Sequence, residues 1–306
     1  MDLDVLASGL KFPEGPVAMD DGSVVLVEIA RGTLTRVDAD GTVDVVADCG
    51  GGPNGAAVGP DGAMYVCNNG GCFEWHDFGG LTIPGPLPRS WKGGSIQRVD
   101  LDTGDVVTLY AECEGRQLRA PNDLVFDAHG GFWFTDHGVR AERSSDRTGV
   151  FYAQADGSAI TEVIFPLDAP NGVGLSPDGN RIYVAETHTG RLWAWDVTAP
   201  GVAASDPGAI NAGGELLCGL PDMQLLDSLA VDAAGNVCVG TLVNGGITIV
   251  SPDGSSYEHV PMPDMMITNL CFGGPDLTTA YVTMSGTGQL GRGPWSGPGL
   301  ALAHTA

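Results

Sequence analysis

Basic residues are scarce in this 306-residue chain: 14 Lys and Arg stand against 38 Asp and Glu, a formal net charge of −24. A surface of that sign repels a phosphate backbone, so nucleic acid is not expected as a partner. The acidic surplus has two readings, solubility and attraction of a cation, and composition does not separate them. No run of about 18 apolar residues is present to cross a bilayer. The opening MDLDVLASGL has neither the charged nor the apolar region of a secretory signal, so a cytoplasmic protein without membrane contact is expected. The seven cysteines (Cys49, Cys67, Cys72, Cys113, Cys218, Cys238, Cys271) are odd in number and form no C-x-x-C pair, which speaks against a disulfide framework or a zinc knuckle. Buried, reduced thiols are expected, with Cys67 and Cys72 the one pair to check. Helical periodicity is missing. So is a G-x-S-x-G nucleophile elbow, and the G-G-G-P at 50–53 is too short for a phosphate loop.

Glycine, by contrast, is abundant: 47 residues, about twice the roughly 7% average usage, which signals many tight turns. The length suits two ordinary domains or one large one, and an internal repeat decides for one. FPEGPVAMDDGSVVLVE at 12, GPNGAAVGPDGAMYVCN at 52 and APNDLVFDAHGGFWFTD at 120 share one grammar with APNGVGLSPDGNRIYVAE at 169, LLDSLAVDAAGNVCVGT at 225 and ITNLCFGGPDLTTAYVT at 267. Each has a polar residue, a short apolar run, a turn rich in Asp and Gly, and a second apolar run. Asp-Gly between apolar runs is a hairpin signal. TLTRVDADGTVDVVA and SIQRVDLDTGDVVTLY add further strand pairs. Repeats of about 40 to 50 residues with four strands each mark a β-propeller. The expectation is an all-β, six-bladed β-propeller with four antiparallel strands per blade, in a single domain over 1–306. The sixth copy lacks an outer strand. LDVLAS at 3–8 is placed to supply it and close the ring, with GLALAHT near the C-terminus as a competitor.

The polar residue opening the innermost strand of each copy is Glu14, Asn54, Asn122, Asn171, Asp227 and Asn269 in turn. Innermost strands line the propeller channel, so these six side chains form a ring about the axis. A single Pro-Asn-Gly is an ordinary turn, but turn chemistry does not ask for Glu14. Two carboxylates facing each other across a narrow channel repel unless a positive charge lies between them. A divalent cation meets that need. Oxygen-only donors suit hard ions, with calcium the first choice, whereas structural zinc sites take Cys or His.

The F-P-E-G-P opening, R-A-P-N-D, P-N-G-V-G-L-S-P-D-G followed by YVAET, D-S-L-A-V-D and the closing AYVT resemble the regucalcin/gluconolactonase (senescence marker protein-like) family, over about residues 10 to 290. The resemblance implies a six-bladed propeller with one catalytic divalent metal in the channel, often hydrolysing lactones. It implies Glu14, Asn171 and Asp227 as metal ligands and Asn122 as a fourth ligand or a substrate contact. Glu14 and Asp227 become the catalytic pair, with Asp227 as general base, and Arg119 the candidate for a substrate-contacting arginine. Calcium stays the first choice of metal, with magnesium, manganese, zinc and iron(II) as alternatives. The substrate is then a small lactone or ester. A related esterase or phosphotriesterase, or a non-catalytic calcium-binding propeller, are the competing readings. Nothing in the sequence specifies an oligomeric state.

In an up-and-down blade the loops from second to third strand surround the ring, so substrate choice is expected at 28–32, 68–94, 136–149, 186–190, 241–246 and 283–288. The second is an insertion without an obvious strand pattern, a length usually functional or disordered. Its Phe73, Trp75, Phe78 and Trp91 favour an ordered lid, or else packing against the blade edge or a subunit neighbour. A lid of this kind points to a hydrophobic or aromatic-bearing lactone. Trp75, Asn54 and Asn269 are expected to face substrate, as are His137 and His188, the better placed of the mouth histidines that also include His76.

Overall fold

The computed structural model describes residues 1 and 3–304. Its strands form six antiparallel sheets about a central axis, the propeller expected from the repeats. Blade 1 runs outward from Pro13–Ala18 through Val24–Glu28 and Thr33–Val37 to Val43–Asp48. The innermost strands of blades 2 to 6 are Pro53–Val58, Pro121–Phe126, Pro170–Leu175, Leu225–Val231 and Ile267–Gly273. Blade 6 takes its outer strand from the N-terminus: Asp4–Ser8 pairs antiparallel with Gln289–Pro294. Residues 300–304 make no strand and instead lie at the far end of the channel. Blade 4 departs from the four-strand plan, because Arg191–Ala199 folds back on Val202–Ala203 before its outer strand Glu215–Gly219. Among the described residues no helix is long and apolar enough to cross a membrane.

The Asp-Gly turns work as their chemistry requires. In blade 1 Gly22 takes φ 84°, a conformation a side chain resists, while Asp21 accepts the Ser23 N–H at 2.9 Å. The second strands Val24–Glu28, Met64–Asn68 and Gly131–Asp136 are buried throughout. Neighbouring blades cover both of their faces, which is why they read as unbroken apolar runs. Aromatic rings fill one such seam: Tyr65 of blade 2 lies 5.0 Å from Phe126 and 5.7 Å from Phe132 of blade 3.

Several of these buried strands end on an acceptor that holds the chain entering the innermost strand of its own blade. Glu28 accepts the Lys11 N–H at 2.6 Å, and Asn68 accepts that of Gly52 at 2.9 Å. Asp136 accepts those of Arg119 and Ala120 at 2.6 and 2.7 Å, and Glu186 that of Asp168 at 2.9 Å. The entry to the ring is thereby fixed at a point where the backbone is otherwise irregular.

The 68–94 insertion is ordered by a hairpin, Trp75–Phe78 with Leu81–Pro84, turning at Gly79 and Gly80 with φ 65° and 91°. It reaches over the ring from blade 2 to blade 6, where the Thr82 N–H donates to the Gly286 carbonyl at 2.8 Å.

Candidate active site at the channel mouth

The six ring residues sit where the innermost strands break register. Pairing shifts between Glu14 and Val17, Pro53 and Ala56, Pro121 and Leu124, Pro170 and Val173, Leu226 and Leu229, and Ile267 and Asn269. Such a bulge re-aims a side chain out of the pleat, here toward the axis. The glycine after the ring residue lets adjoining blades approach. A Cβ on Gly55 would lie 2.5 Å from the Asn122 carbonyl oxygen, and one on Gly172 would lie 2.6 Å from the Leu229 nitrogen.

Glu14 is 2% exposed. Its Oε2 accepts the Gly15 N–H and, at 2.8 Å, Asn269 Nδ2. Its Oε1 is buried without a partner, and so is Asn122 Oδ1. Asn171 is turned by two contacts: its Nδ2 donates to Thr187 Oγ1 at 3.0 Å and its Oδ1 accepts Ser228 Oγ at 3.3 Å. Asp227 keeps partial access to the cavity. Burial raises the Glu14 carboxyl to about 7, with the Asn269 and Gly15 hydrogen bonds opposing. It also raises Asp227, and the Glu14 charge adds to the shift. This is the repulsion expected of two ring carboxylates. Among the described residues no three His, Cys, Asp or Glu side chains gather as a metal cluster, so any cation here is held by two carboxylates plus carboxamide oxygens. The two unpartnered buried oxygens fit that arrangement.

Five of the ring residues, Glu14, Asn54, Asn122, Asn171 and Asp227, floor a cavity of about 440 Å³, within the range of small-molecule sites. Asn269 faces away: its amide is spent on Glu14 and on the Leu270 N–H at 2.7 Å, and it lines the opposite end of the channel. Asp123, one residue beyond the ring, escaped the sequence reading. Where three of the other copies carry glycine, it is buried and bonds the N–H groups of Leu124 and Val173 at 2.9 and 3.4 Å.

The cavity wall comes from five of the six loops expected to carry it, with residues beyond them; loop 283–288 contributes no lining residue and only receives the hairpin at Gly286. His137 and His188 stand together in it, ring centroids 5.5 Å apart. His137 Nδ1–H donates to the Gly138 carbonyl at 3.2 Å, which leaves Nε2 as an acceptor. Desolvation holds both histidines below the ordinary imidazole value, and for His188 the neighbouring His137 adds to it. Phe12, Met265 and Met266, on the connections entering the innermost strands, and Leu225, the first residue of one, complete the wall. Trp75 stands behind it, 4.9 Å from Phe12 and 5.9 Å from Phe73. Arg119 points elsewhere, paired with Asp146 at 2.7 Å and stacked 4.5 Å over Trp91. His76 is exposed on the hairpin. All seven cysteines are free, and burial pushes the Cys72 thiol beside the cavity up to about 12.

Residues 12–286 match the SMP-30/gluconolactonase/LRE-like region. The chain belongs to this family. The gluconolactonase of Zymomonas mobilis is 27% identical, over 89% of this chain and 76% of its own. Lactonase drp35 of Staphylococcus saprophyticus is 27% identical over 85% and 72%. A solved gluconolactonase structure from Xanthomonas campestris superimposes with a TM-score of 0.74 at 24% identity, over 95% of this chain and 89% of that one, which shows a shared fold. The SMP-30/gluconolactonase match spans every ring residue and the hairpin. The closing strand Asp4–Ser8 lies outside it.

Proposed function

We propose that this member of the family hydrolyses a lactone with one divalent cation held by Glu14, Asn122, Asn171 and Asp227. One observation carries the reading: two buried, unpartnered oxygens, Glu14 Oε1 and Asn122 Oδ1, in a ring that also holds Asp227, at the floor of a ligand-sized cavity. Relatives named gluconolactonase and lactonase point to the bond that is cleaved. Mixed carboxylate and carboxamide oxygens favour calcium. When bound, such a cation polarises a carbonyl and supports negative charge on its oxygen.

The chain's own residues supply the rest. Asn269 and the Gly15 N–H pin one oxygen of Glu14 and so fix the aim of the other. Thr187 and Ser228 do the same for the Asn171 carboxamide. Asp227, open to the cavity, takes a proton from the attacking water as general base. The water oxygen bonds to the carbonyl carbon, the ring C–O bond breaks, and the proton passes to the departing oxygen, giving a hydroxy acid. Asn54 and His137 Nε2 face the substrate and orient it.

Proton release from a lactone panel, with and without chelator, tests this. Turnover should be lost with chelator and restored by calcium. Glu14→Gln and Asp227→Asn should lose both turnover and calorimetric calcium binding. Calcium binding with no turnover of any lactone or ester identifies a binding propeller instead, and turnover confined to esters or phosphotriesters identifies the related hydrolase.

A further inference from the structure

The polar and apolar groups of the cavity are not mixed. Polar side chains are confined to the floor ring and to one sector above blades 3 and 4, where His137, Arg140, Thr187 and His188 stand. The rest of the circumference, above blades 5, 6, 1 and 2, is apolar. Phe12 and Ile29 come from blade 1, Ile83 from the hairpin, Leu242 from blade 5, and Met266 from the turn into blade 6. Phe12, Ile29, Leu242 and Met266 pack as one buried cluster with Trp75 and Phe73 against it. The hairpin roofs this sector, held across the mouth by the Thr82 to Gly286 hydrogen bond.

A polyhydroxylated lactone would press several hydroxyls against this wall, each losing water without gaining a partner. An alkyl or aryl substituent meets only apolar surface there. Resting on the hydrolase reading above, we infer that the substrate class is a lactone bearing an apolar substituent, which lies against the Phe12, Leu242 and Met266 wall under the hairpin. Sugar lactones are the disfavoured class. Burial of one methylene corresponds to about a fourfold gain, and one hydroxyl left unpaired to about a tenfold loss.

Two measurements on the full chain test this. The first is kcat/KM for γ-lactones with side chains from methyl to hexyl, beside gluconolactone. It should rise about threefold to fourfold per methylene until the cavity fills, with gluconolactone at least about tenfold below the best of them. The second is calorimetric binding of the corresponding alkyl lactams, which are not hydrolysed under these conditions and should show the same progression in Kd. Ile83→Asn lies on the hairpin, outside the blade sheets, and should cut the hexyl-to-methyl ratio about tenfold in both measurements. Gluconolactone turned over as well as the alkyl series, or a flat lactam series, overturns the inference and leaves the hydrolase reading intact. Lactam binding that climbs with chain length in a protein that turns over no lactone overturns the hydrolase reading alone.

Discussion

Glu14→Gln separates what the ring costs in stability from what it supplies in function. Glu14 is almost fully buried beside a second carboxylate, and its carboxyl moves from the ordinary 4.5 to about 7. A raised carboxyl pKa means that the native state holds the proton more tightly than the unfolded chain does. Without cation, the contribution of Glu14 to native stability is therefore greatest below pH 4.5, falls as pH rises through about 7, and is flat above that. The full penalty is at most about 3 kcal/mol, on the order of 5 °C in Tm for a chain of this size. Glutamine keeps the shape and an acceptor for the Gly15 and Asn269 donors while removing the charge. In chelator at pH 8, Glu14→Gln should melt about 5 °C above wild type. At pH 4 the two should coincide. In calcium the order should reverse, because only the wild type gains the binding free energy. Scanning calorimetry at both pH values, with chelator and with calcium, reads all four states. A variant less stable than wild type in chelator at pH 8, or one as calcium-responsive as wild type, refutes the reasoning.

Asn171 and Asn54 occupy the same position of their repeats but should respond differently. Asn171→Ala, which removes an oriented carboxamide, should weaken calcium binding by about tenfold or more, read by titration calorimetry. Asn54→Ala should raise KM severalfold with calcium affinity retained. Arg119→Ala breaks a half-exposed pair and a stack, worth about 1 kcal/mol together on a denaturation curve, and should leave KM within about twofold. A large rise in KM would put Arg119 in contact with substrate. Asp136→Ala strands the N–H groups of Arg119, Ala120 and Gly138 and should cost about 2 to 4 kcal/mol, read as a lowered denaturant midpoint.

The blades were legible because their grammar is local. Asp-Gly turns and paired apolar runs announce each hairpin, and aligning the copies puts equivalent residues about one axis. The closing strand was legible because blade 6 lacked one. The hairpin at 75–84 was not, since four-residue strands around Gly79-Gly80 fall below any periodicity window. Nor was the facing of Asn269, which alignment places with the other ring residues. Its amide turns to a carboxylate 255 positions away, because the Leu270 N–H has taken its oxygen. Phe12, Met265 and Met266 were missed because they sit on the connections between copies, outside the loops assigned to the mouth. Trp75 shows the limit of placing side chains by loop and Arg119 that of carrying a role over by resemblance: their partners, Phe12 and Asp146, hold them off the cavity wall.

The recurring Asn-Gly pair joins fold to site. The asparagine gives the ring a neutral oxygen, and the glycine lets the next blade's backbone come within reach of its Cα. The pair is complete in blades 2 and 4; blade 3 carries Asp123 in place of the glycine, and its carboxylate bonds the Val173 N–H of blade 4 and ties those two blades together. The consequence is a directional floor. Both ring carboxylates lie in blades 5 and 1, beneath the apolar wall, and the carboxamides of Asn122 and Asn171 lie in blades 3 and 4, beneath the histidines. In the proposed reaction, a lactone whose substituent lies against the apolar wall turns its opposite edge toward His137. Asp227, the proposed base, thus shares one side of the site with the apolar wall, and in the proposed reaction substituent size and proton transfer are coupled by position.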